Sequence, residues 1–248
     1  MEIESLGASI VPHLIELRHR LIRIVVSILV VFLVMTPFAN SIYHFLAQPL
    51  LQFLPENTSM IAIDVASPFF TPFKLVFVTA ILIAIPVILY HFWAFIAPAL
   101  YSHEKRMMAP LLIASIGLFA LGMAFAYFVA LPLIFGFLTT AAPNGVAMMT
   151  DISKYLDFII TLFFAFGLAF EVPIITIVLI WSGLFTRAQL AEKRPYVIVG
   201  AFIIAMFLTP PDAISQTLLA IPIWFLFESG LLFSWFFIKP KADKSLQK

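Results

Sequence analysis

Long apolar stretches without a charged residue dominate the chain. The windows free of Asp, Glu, Lys and Arg are 24–55, 75–103, 107–150, 172–186, 195–211 and 213–227. A membrane-spanning helix needs roughly 20 apolar residues at 1.5 Å each, and several windows reach that length. The short alternating segments of a transmembrane β-barrel do not occur in them. The pattern therefore predicts an all-α integral membrane protein.

Apolar runs and the breaks between them predict six transmembrane helices in a single polytopic membrane domain. The spans lie near 22–36, 73–96, 110–131, 156–181, 196–208 and 215–237. Prolines 86, 173 and 222 fall inside spans and predict kinks. The last two spans are expected to be short, because 196–208 gives only about 20 Å of helix and the sixth can stop at Glu228.

The segments outside the spans are also informative. Residues 1–21 lack the basic start, apolar core and cleavage site of a removable signal, so they read as a retained N-terminal segment. Residues 37–55, "PFANSIYHFLAQPLLQFLP", are apolar and aromatic, which predicts an interfacial cap on the membrane surface. Residues 238–248 form a polar tail.

The positions of the lysines and arginines predict the orientation. Of the 14 such residues, 12 lie in the N-terminal segment or at the start of the first span, in the connections after spans two and four, or in the tail; the other two are Lys74 and Lys154. Because basic residues concentrate on the cytoplasmic side, both termini are predicted to be cytoplasmic.

Composition narrows the possible functions. The chain is 63% hydrophobic and 11% charged, with a mean hydropathy of +1.10, whereas soluble domains carry about 25% charged residues. A net charge of +1 gives no basic surface for nucleic acid. The absence of cysteine excludes disulfides, thiolate nucleophiles and cysteine–zinc sites.

Motifs for catalysis are missing from the sequence. The five histidines have no metal-ligand spacing, and there is no GxSxG, glycine-rich phosphate loop or paired intramembrane aspartate. The chain is therefore predicted not to be an enzyme and to need no metal or cofactor.

Four polar places near the membrane stand out. In "HLIELRHRL", residues 13–21, Glu16 and Arg20 are spaced to pair on a helix; an ordinary juxtamembrane helix is the alternative. In "AFIAPALYSHEKR", residues 94–106, Glu104 is the only acid, and simple neutralisation by Lys105 and Arg106 is the alternative.

The other two places lie in or beyond the spans. Glu171 is an acid within the fourth span, where ionisable groups are costly and mark functional sites; a hydrogen-bonded or protonated carboxyl facing a neighbouring helix is the alternative. In "MFLTPPDAISQ", residues 206–216, Pro210 and Pro211 break the helix and Asp212 can cap the next one.

Several long stretches together resemble the TatC family, the multispanning receptor subunits of the twin-arginine protein translocase. They are "HLIELRHRL", "IAIDVASPFFTPFKL", "YHFWAFIAPALYSHEKR", "GMAFAYF", "AFEVP", "KRPYVIVGAF" and "LTPPDAISQTLLAIP". The resemblance extends from residue 13 to 222. It implies six spans in a cupped, concave arrangement with both termini in the cytoplasm of a bacterial inner membrane and two short final helices.

The resemblance also implies a function and its residues. The family binds the twin-arginine signal peptides of folded precursor proteins and gathers the single-span partners TatB and TatA for export driven by the proton-motive force. It implies signal binding by Glu104, supported by Glu16, Arg18, Phe95 and Tyr101. Self-association within a receptor complex is also implied.

Further residues match other family sites. Glu171 is implied to lie on the concave face that receives the apolar part of the signal. The partner-helix contact is implied at Met206, Thr209 and Gln216, and Asp212 matches the acid of the outer hairpin. Carboxylates suit an arginine pair because they accept charge-assisted, often bidentate hydrogen bonds.

Two other classes of function were weighed against the receptor. A proton-coupled secondary transporter using Glu171 predicts further ionisable groups along a path, and none is evident at membrane depth. An intramembrane enzyme would need a nucleophile–base or metal set. The sequence therefore favours a receptor without a catalytic step.

Overall fold

The computed structural model describes residues 2–52, 60–100, 108–141, 150–208 and 213–237, and these are helical almost throughout. The α-helices are α1 Glu2–Met35, α2 Ala39–Leu51, α3 Ser67–Leu100, α4 Met108–Phe125, α5 Leu131–Ala141, α6 Ile152–Ala169, α7 Val172–Trp181, α8 Arg187–Glu192, α9 Arg194–Leu208 and α10 Ala213–Phe237. A 3₁₀ turn, Thr36–Phe38, joins α1 to α2, and a π-helical turn, Ala126–Ala130, joins α4 to α5.

Each of the six predicted spans corresponds to one helix or to two consecutive helices. The spans lie in α1, in α3, in α4 with α5, in α6 with α7, in α9 and in α10. Within the described residues, five helical segments are long and apolar enough to cross a membrane, and Arg194–Phe207 is shorter. The prediction of an all-α, multi-span membrane protein is confirmed.

Two spans depart from the predicted form. The third continues to Ala141, ten residues past its predicted end; a π turn at Ala126–Ala130 precedes Pro132, which has no N–H to donate to the helix. The fourth breaks at Phe170 and Glu171, just before Pro173, whereas α3 and α10 run unbroken through Pro86 and Pro222.

The prediction of two short final helices holds for α9 and is wrong for α10. The fifth span, α9, has 15 residues, while α10 has 25. The helix does not end at Glu228, whose carboxylate accepts from Arg194, but continues to Phe237.

The segment 37–55, predicted as an interfacial cap, forms helix α2 over most of its length. Two tyrosines bind the backbone of its second half. The hydroxyl of Tyr127 donates to the carbonyl of Phe45 at 2.7 Å, and that of Tyr155 to the carbonyl of Leu46 at 2.8 Å. Leu46 and Leu50 are among the side chains of α2 that are buried against the rest of the protein. Residues 53–55 of the predicted cap lie outside the described part of the chain.

The contacts divide the chain into two compact units, Met1–Gly117 with Ala126–Phe163, and Leu118–Phe125 with Phe164–Lys248. In the first unit α1 packs antiparallel along α3, as the edge-on contact of Phe32 with Phe77 at 6.1 Å indicates. In the second, α10 packs against α7 and α9. A Cβ added at Gly230 of α10 would meet the Cα of Pro173 at 2.8 Å, so only glycine permits this approach.

Candidate functional sites

The polar face of α1 carries the predicted intrahelical ion pair. The Nε of Arg20 donates to Oε1 of Glu16 at 3.0 Å, and a second guanidinium nitrogen contacts the same oxygen. The expected i,i+4 pairing in "HLIELRHRL" is therefore confirmed. Arg18, between the two, is exposed.

An aromatic stack joins this face of α1 to the far end of α3. The ring of His13 lies over the ring of Phe95, with centroids 4.2 Å apart and an angle of 18° between the planes. His13 precedes Glu16 by about one helical turn. The structure thus brings two predicted site residues, Glu16 and Phe95, to the same end of the first unit.

Sequence reasoning did not assign a role to His13. Its only signal was its position one turn before Glu16, on a helix whose partner was not known. The contact with Phe95 spans more than 80 residues of chain, and it follows from the antiparallel packing of α1 on α3.

Two predicted signal-binding residues, Glu104 and Tyr101, lie in 101–107, outside the described residues. The connection that holds them begins directly after α3, which ends at Leu100, five residues beyond Phe95. From His13 to Arg23, α1 carries Glu16 against three arginines. This part of α1 is therefore basic overall, and Glu104 is the only acid of the adjoining connection.

Glu171 lies in the turn between α6 and α7 and is buried, with 7% of its surface exposed. Its N–H donates to the carbonyl of Leu168 at 3.1 Å, and its own carbonyl accepts the N–H of Ile175 at 2.9 Å. The helix is interrupted here because Pro173 has no N–H to donate to the carbonyl of Ala169. The place of Glu171 on a signal-receiving face stays a prediction.

Met206 and Gln216 lie within about one turn of the connection between α9 and α10. Met206 is half exposed, and Gln216 is partly buried. Thr209 and Asp212 lie in 209–212, outside the described residues. The structure therefore places Met206 and Gln216 at the same end of the α9–α10 hairpin.

The surface of α9 next to this connection is apolar, and among the described residues one of its faces is exposed. Ala201 and Ala205 are buried, and Ala201 forms a small core with Ala220 and Ile223 of α10. On the opposite face, Ile203, Met206 and Phe207 are exposed. One alanine stripe thus attaches α9 to α10 and leaves most of its apolar surface for lipid or another helix.

The opposite end of the α9–α10 pair is fixed by arginines. Arg194 donates to both oxygens of Glu228, at 2.6 and 2.9 Å, and Arg187 donates to the carbonyl of Ser234. Sequence reasoning missed both contacts, because partners 34 and 47 residues apart have no periodic signal.

At the starts of α3 and α6, Asp151 organises the backbone. Its Oδ1 accepts the N–H groups of Ser153 and Lys154, each at 3.0 Å, which caps α6, and its Oδ2 accepts the N–H of Ile63 at 3.0 Å. The Ile63 hydrogen bond, followed by that of Lys154, holds the pKa of Asp151 below its usual value of 3.8. Ile61 and Asp151 also form an isolated parallel β-bridge.

Metal-binding geometry is not found in the part of the chain that the structure describes. There, no three or more His, Asp or Glu side chains come together in a way that could hold an ion. The described residues instead offer charged and aromatic groups where α1 meets the end of α3, and exposed apolar surface on α9.

The family model described as Sec-independent protein translocase protein (TatC) matches residues 12–222. The chain is 56% identical over 229 residues to the Sec-independent protein translocase protein TatC of Escherichia coli O6:H1, with 92% of this chain and 89% of that protein covered. The protein of the same name from Haemophilus influenzae is 55% identical over 96% of this chain and 93% of its own length. That of Aquifex aeolicus is 40% identical over 95% and 98%.

Two solved structures resemble the chain as well. One is a crystal structure of the twin arginine translocase receptor TatC, with a TM-score of 0.80 and 42% identity over 90% of this chain and 98% of that one. The other is the same receptor in DDM, with a TM-score of 0.81 and 41% identity over 90% and 99%.

Proposed function

Because this chain belongs to the TatC family and is a receptor subunit of the twin-arginine translocation pathway, we propose that it binds twin-arginine signal peptides where α1 meets the far end of α3. The subunit is a non-enzymatic component of protein transport. The observation that carries the proposal is the stack of His13 on Phe95 beside the Glu16–Arg20 pair. It supports a site shared by the two elements.

The balance of charge supports Glu104 as the main reader of the arginine pair. Between His13 and Arg23, α1 is basic overall, so by itself it repels a pair of arginines. Glu104 adds the missing carboxylate in the connection that follows Phe95. A guanidinium needs an oxygen acceptor and is commonly held by two parallel hydrogen bonds.

Glu16 is proposed to support this site by exchange. Its carboxylate is occupied by Arg20 in the free receptor. An incoming arginine can replace Arg20, so the signal gains a partner while Arg20 returns to water. Arg18, exposed on the same helix, and Tyr101 complete the proposed set.

The α9–α10 hairpin is proposed as the contact for a single-span partner of the TatB or TatA type. The uncovered apolar face around Met206 offers packing surface, and Gln216, with Thr209, offers polar groups for hydrogen bonds between helices. Asp212 is proposed to cap α10 in the outer hairpin. The same exposed helices are proposed to support self-association in a receptor complex.

The proposed location is the bacterial inner membrane with both termini in the cytoplasm. The bias of lysine and arginine supports this orientation. It puts the His13–Phe95 end on the side where folded precursors arrive. It puts the connection 209–212 on the outer side.

Photo-crosslinking from positions 16, 95, 103, 171 and 216 tests the proposal directly, and position 103 leaves the carboxylate of Glu104 in place. A precursor with a twin-arginine signal is expected to crosslink from 16, 95 and 103, and TatB or TatA from 216. Glu104→Ala is expected to lose the precursor crosslinks while the protein remains inserted, because the arginine pair loses its carboxylate.

Glu192→Ala is the matched control, since Glu192 is an exposed acid in α8, in the connection between the fourth and fifth spans. It is expected to crosslink the precursor as the unmodified receptor does. Normal crosslinking of the precursor by Glu104→Ala would overturn the proposed reader. Equal loss in both variants would indicate a general charge effect and overturn it as well.

A further inference from the structure

An open cavity of about 310 Å³, lined by both charged and apolar side chains, lies at the end of the first unit opposite to the His13–Phe95 stack. Its walls are the first turns of α3 and α6 and the chain just before α3. Both helices start membrane spans at this point, Ser67–Phe95 and Ile152–Trp181. The cavity therefore lies at the boundary between the hydrocarbon and the aqueous layer.

The walls hold one amine and two carboxylates. The ammonium of Lys74 contacts Oδ1 of Asp157, and both side chains are about half exposed, at 53% and 47%. Asp64 is exposed on the third side, and its Oδ1 lies 3.5 Å from the N–H of Ala66. The cavity thus has a net charge of −1 and presents a cation and two anions to the same space.

Hydroxyl groups add further polar surface. Oγ1 of Thr71 and Oγ of Ser153 lie 3.0 Å apart and join α3 to α6 inside the cavity lining. A hydroxyl pair of this kind keeps lone pairs and, by rotation, a proton available to a ligand.

A column of exposed aromatic rings descends from the cavity along α3. Phe70 and Phe73 line the cavity and are 63% and 46% exposed, and Phe77, one turn further into the span, is 46% exposed. The spacing of three and four residues places these rings on one face of the helix. The cavity therefore continues into a row of apolar rings, Phe70, Phe73 and Phe77, that runs along α3 into the span.

We propose that this cavity is a binding site for a phospholipid whose headgroup carries both a phosphate and a primary ammonium. The ammonium donates to Asp64 and Asp157, the phosphate accepts from Lys74 and Thr71, and an acyl chain lies along Phe70, Phe73 and Phe77. The net negative charge of the walls disfavours headgroups that are themselves anionic. The site does not depend on signal binding. The orientation proposed above puts the cavity in the outer leaflet, and only that placement rests on the proposed function.

Headgroup chemistry distinguishes this site from a general lipid surface. A trimethylated ammonium has the same charge but no N–H to donate, so it loses the charge-assisted hydrogen bonds to the carboxylates. A glycerol headgroup has the phosphate and lacks the cation. The contribution of the N–H donors and that of the positive charge can therefore be separated with three lipids that share the same acyl chains. These are phosphatidylethanolamine, phosphatidylcholine and phosphatidylglycerol.

Native mass spectrometry of the purified full chain in detergent, titrated with each of the three lipids, measures their apparent affinities. Phosphatidylethanolamine is expected to bind about tenfold more tightly than phosphatidylcholine, the size of about one charge-assisted hydrogen bond, and phosphatidylglycerol more weakly still. Asp64→Asn is expected to reduce the affinity for phosphatidylethanolamine to that for phosphatidylcholine, whereas Lys74→Gln is expected to weaken the binding of all three lipids, because each carries the phosphate that Lys74 binds. Asp64→Asn keeps an oxygen toward Ala66, so the local turn is preserved.

Lys154→Gln is the matched control, because Lys154 is an exposed lysine in the first turn of α6 that does not line the cavity. It is expected to keep the preference, and thermal unfolding without added lipid checks that each variant is folded. Equal binding of the three lipids, preference for phosphatidylglycerol, an unchanged preference in folded Asp64→Asn, or an unchanged affinity for phosphatidylethanolamine in folded Lys74→Gln would each overturn the site. An equal loss in Lys154→Gln would do so too, since it would assign the effect to general surface charge.

Discussion

Arg194, the first residue of α9, holds both carboxylate oxygens of Glu228, in the middle of α10, at 2.6 and 2.9 Å. This fork-like geometry is the strongest form of ion pair that a guanidinium makes. It fastens one end of a hairpin whose other end carries Met206 and Gln216. The pair therefore sets how α9 lies on α10 at the proposed partner contact.

Arg194→Ala and Glu228→Ala are each expected to lower the free energy of unfolding. Combined, they should lower it by less than the sum of the two single effects, because the two halves of the pair act together. Thermal unfolding of the four proteins in detergent measures this coupling. Glu192→Ala, an exposed acid in α8, is the reference and should unfold like the original chain; full additivity would contradict the bidentate pair.

Gly230→Ala is expected to destabilise the second unit by about 2 kcal/mol, the usual effect of overpacking. The new methyl group would lie 2.8 Å from the Cα of Pro173 and 2.9 Å from Cβ of Thr176, so the backbones of α10 and α7 must separate. The unfolding temperature of the purified protein is the measurement.

Gly200→Ala provides the comparison for that substitution, because nothing lies within 4 Å of its added methyl group. It is expected to be neutral or to stabilise α9 by up to about 1 kcal/mol, since alanine favours a helix over glycine. If Gly230→Ala behaved in the same way, the close packing of α7 on α10 would be wrong.

Asp151→Asn is expected to destabilise the start of α6 in a manner that depends on pH. The hydrogen bond from Ile63 depresses the pKa of Asp151, so the folded state favours the carboxylate. Its contribution is complete above the unfolded pKa and disappears as the pH falls through the lower, folded pKa. The difference in unfolding temperature between the original chain and Asp151→Asn should therefore be constant near neutral pH and shrink below about pH 4.

Glu192→Gln serves as the reference in the same pH series, because Glu192 is a solvent-exposed acid of α8. It should shift the unfolding temperature little at any pH. A difference for Asp151→Asn that grew on acidification would have the opposite sign and would contradict the role of the carboxylate.

Glu171→Gln is expected to keep signal contact and to slow export by less than about tenfold, which is less than about 1.4 kcal/mol of barrier. Glutamine has nearly the same shape and keeps one carbonyl oxygen at the buried turn. Precursor crosslinking and export into inverted membrane vesicles measure the two effects separately. Intact crosslinking with complete loss of export would instead favour a proton-coupled step at Glu171.

The course of the helices followed largely from the sequence, because apolar length in a membrane protein leaves little alternative to a helix. What the pattern could not give were the local exceptions. The helix continues past Pro132 after a π turn, and α10 continues past Glu228, whose carboxylate is paired with Arg194, a residue 34 positions earlier. Neither the turn nor the pair has a local signal in the sequence.

In the candidate site, only contacts between residues close in sequence could be predicted. The Glu16–Arg20 pair is a local, i,i+4 feature and could be predicted from spacing alone. The contacts of His13 with Phe95, of Lys74 with Asp157 and of Ile63 with Asp151 join separate helices or loops. Such contacts depend on which faces of the helices meet, which hydrophobic periodicity does not determine when every face is apolar.

The length of α1 has a mechanical consequence. Its 34 residues form one helix of about 50 Å, well beyond the roughly 30 Å of a bilayer's hydrocarbon. Glu16 and Phe32 therefore belong to the same rod, with no loop between them to absorb a displacement. The same helix contacts α3 near both ends of this stretch, at Phe95 through His13 and at Phe77 through Phe32, so a displacement of α1 at Glu16 is expected to reach the Phe32–Phe77 contact.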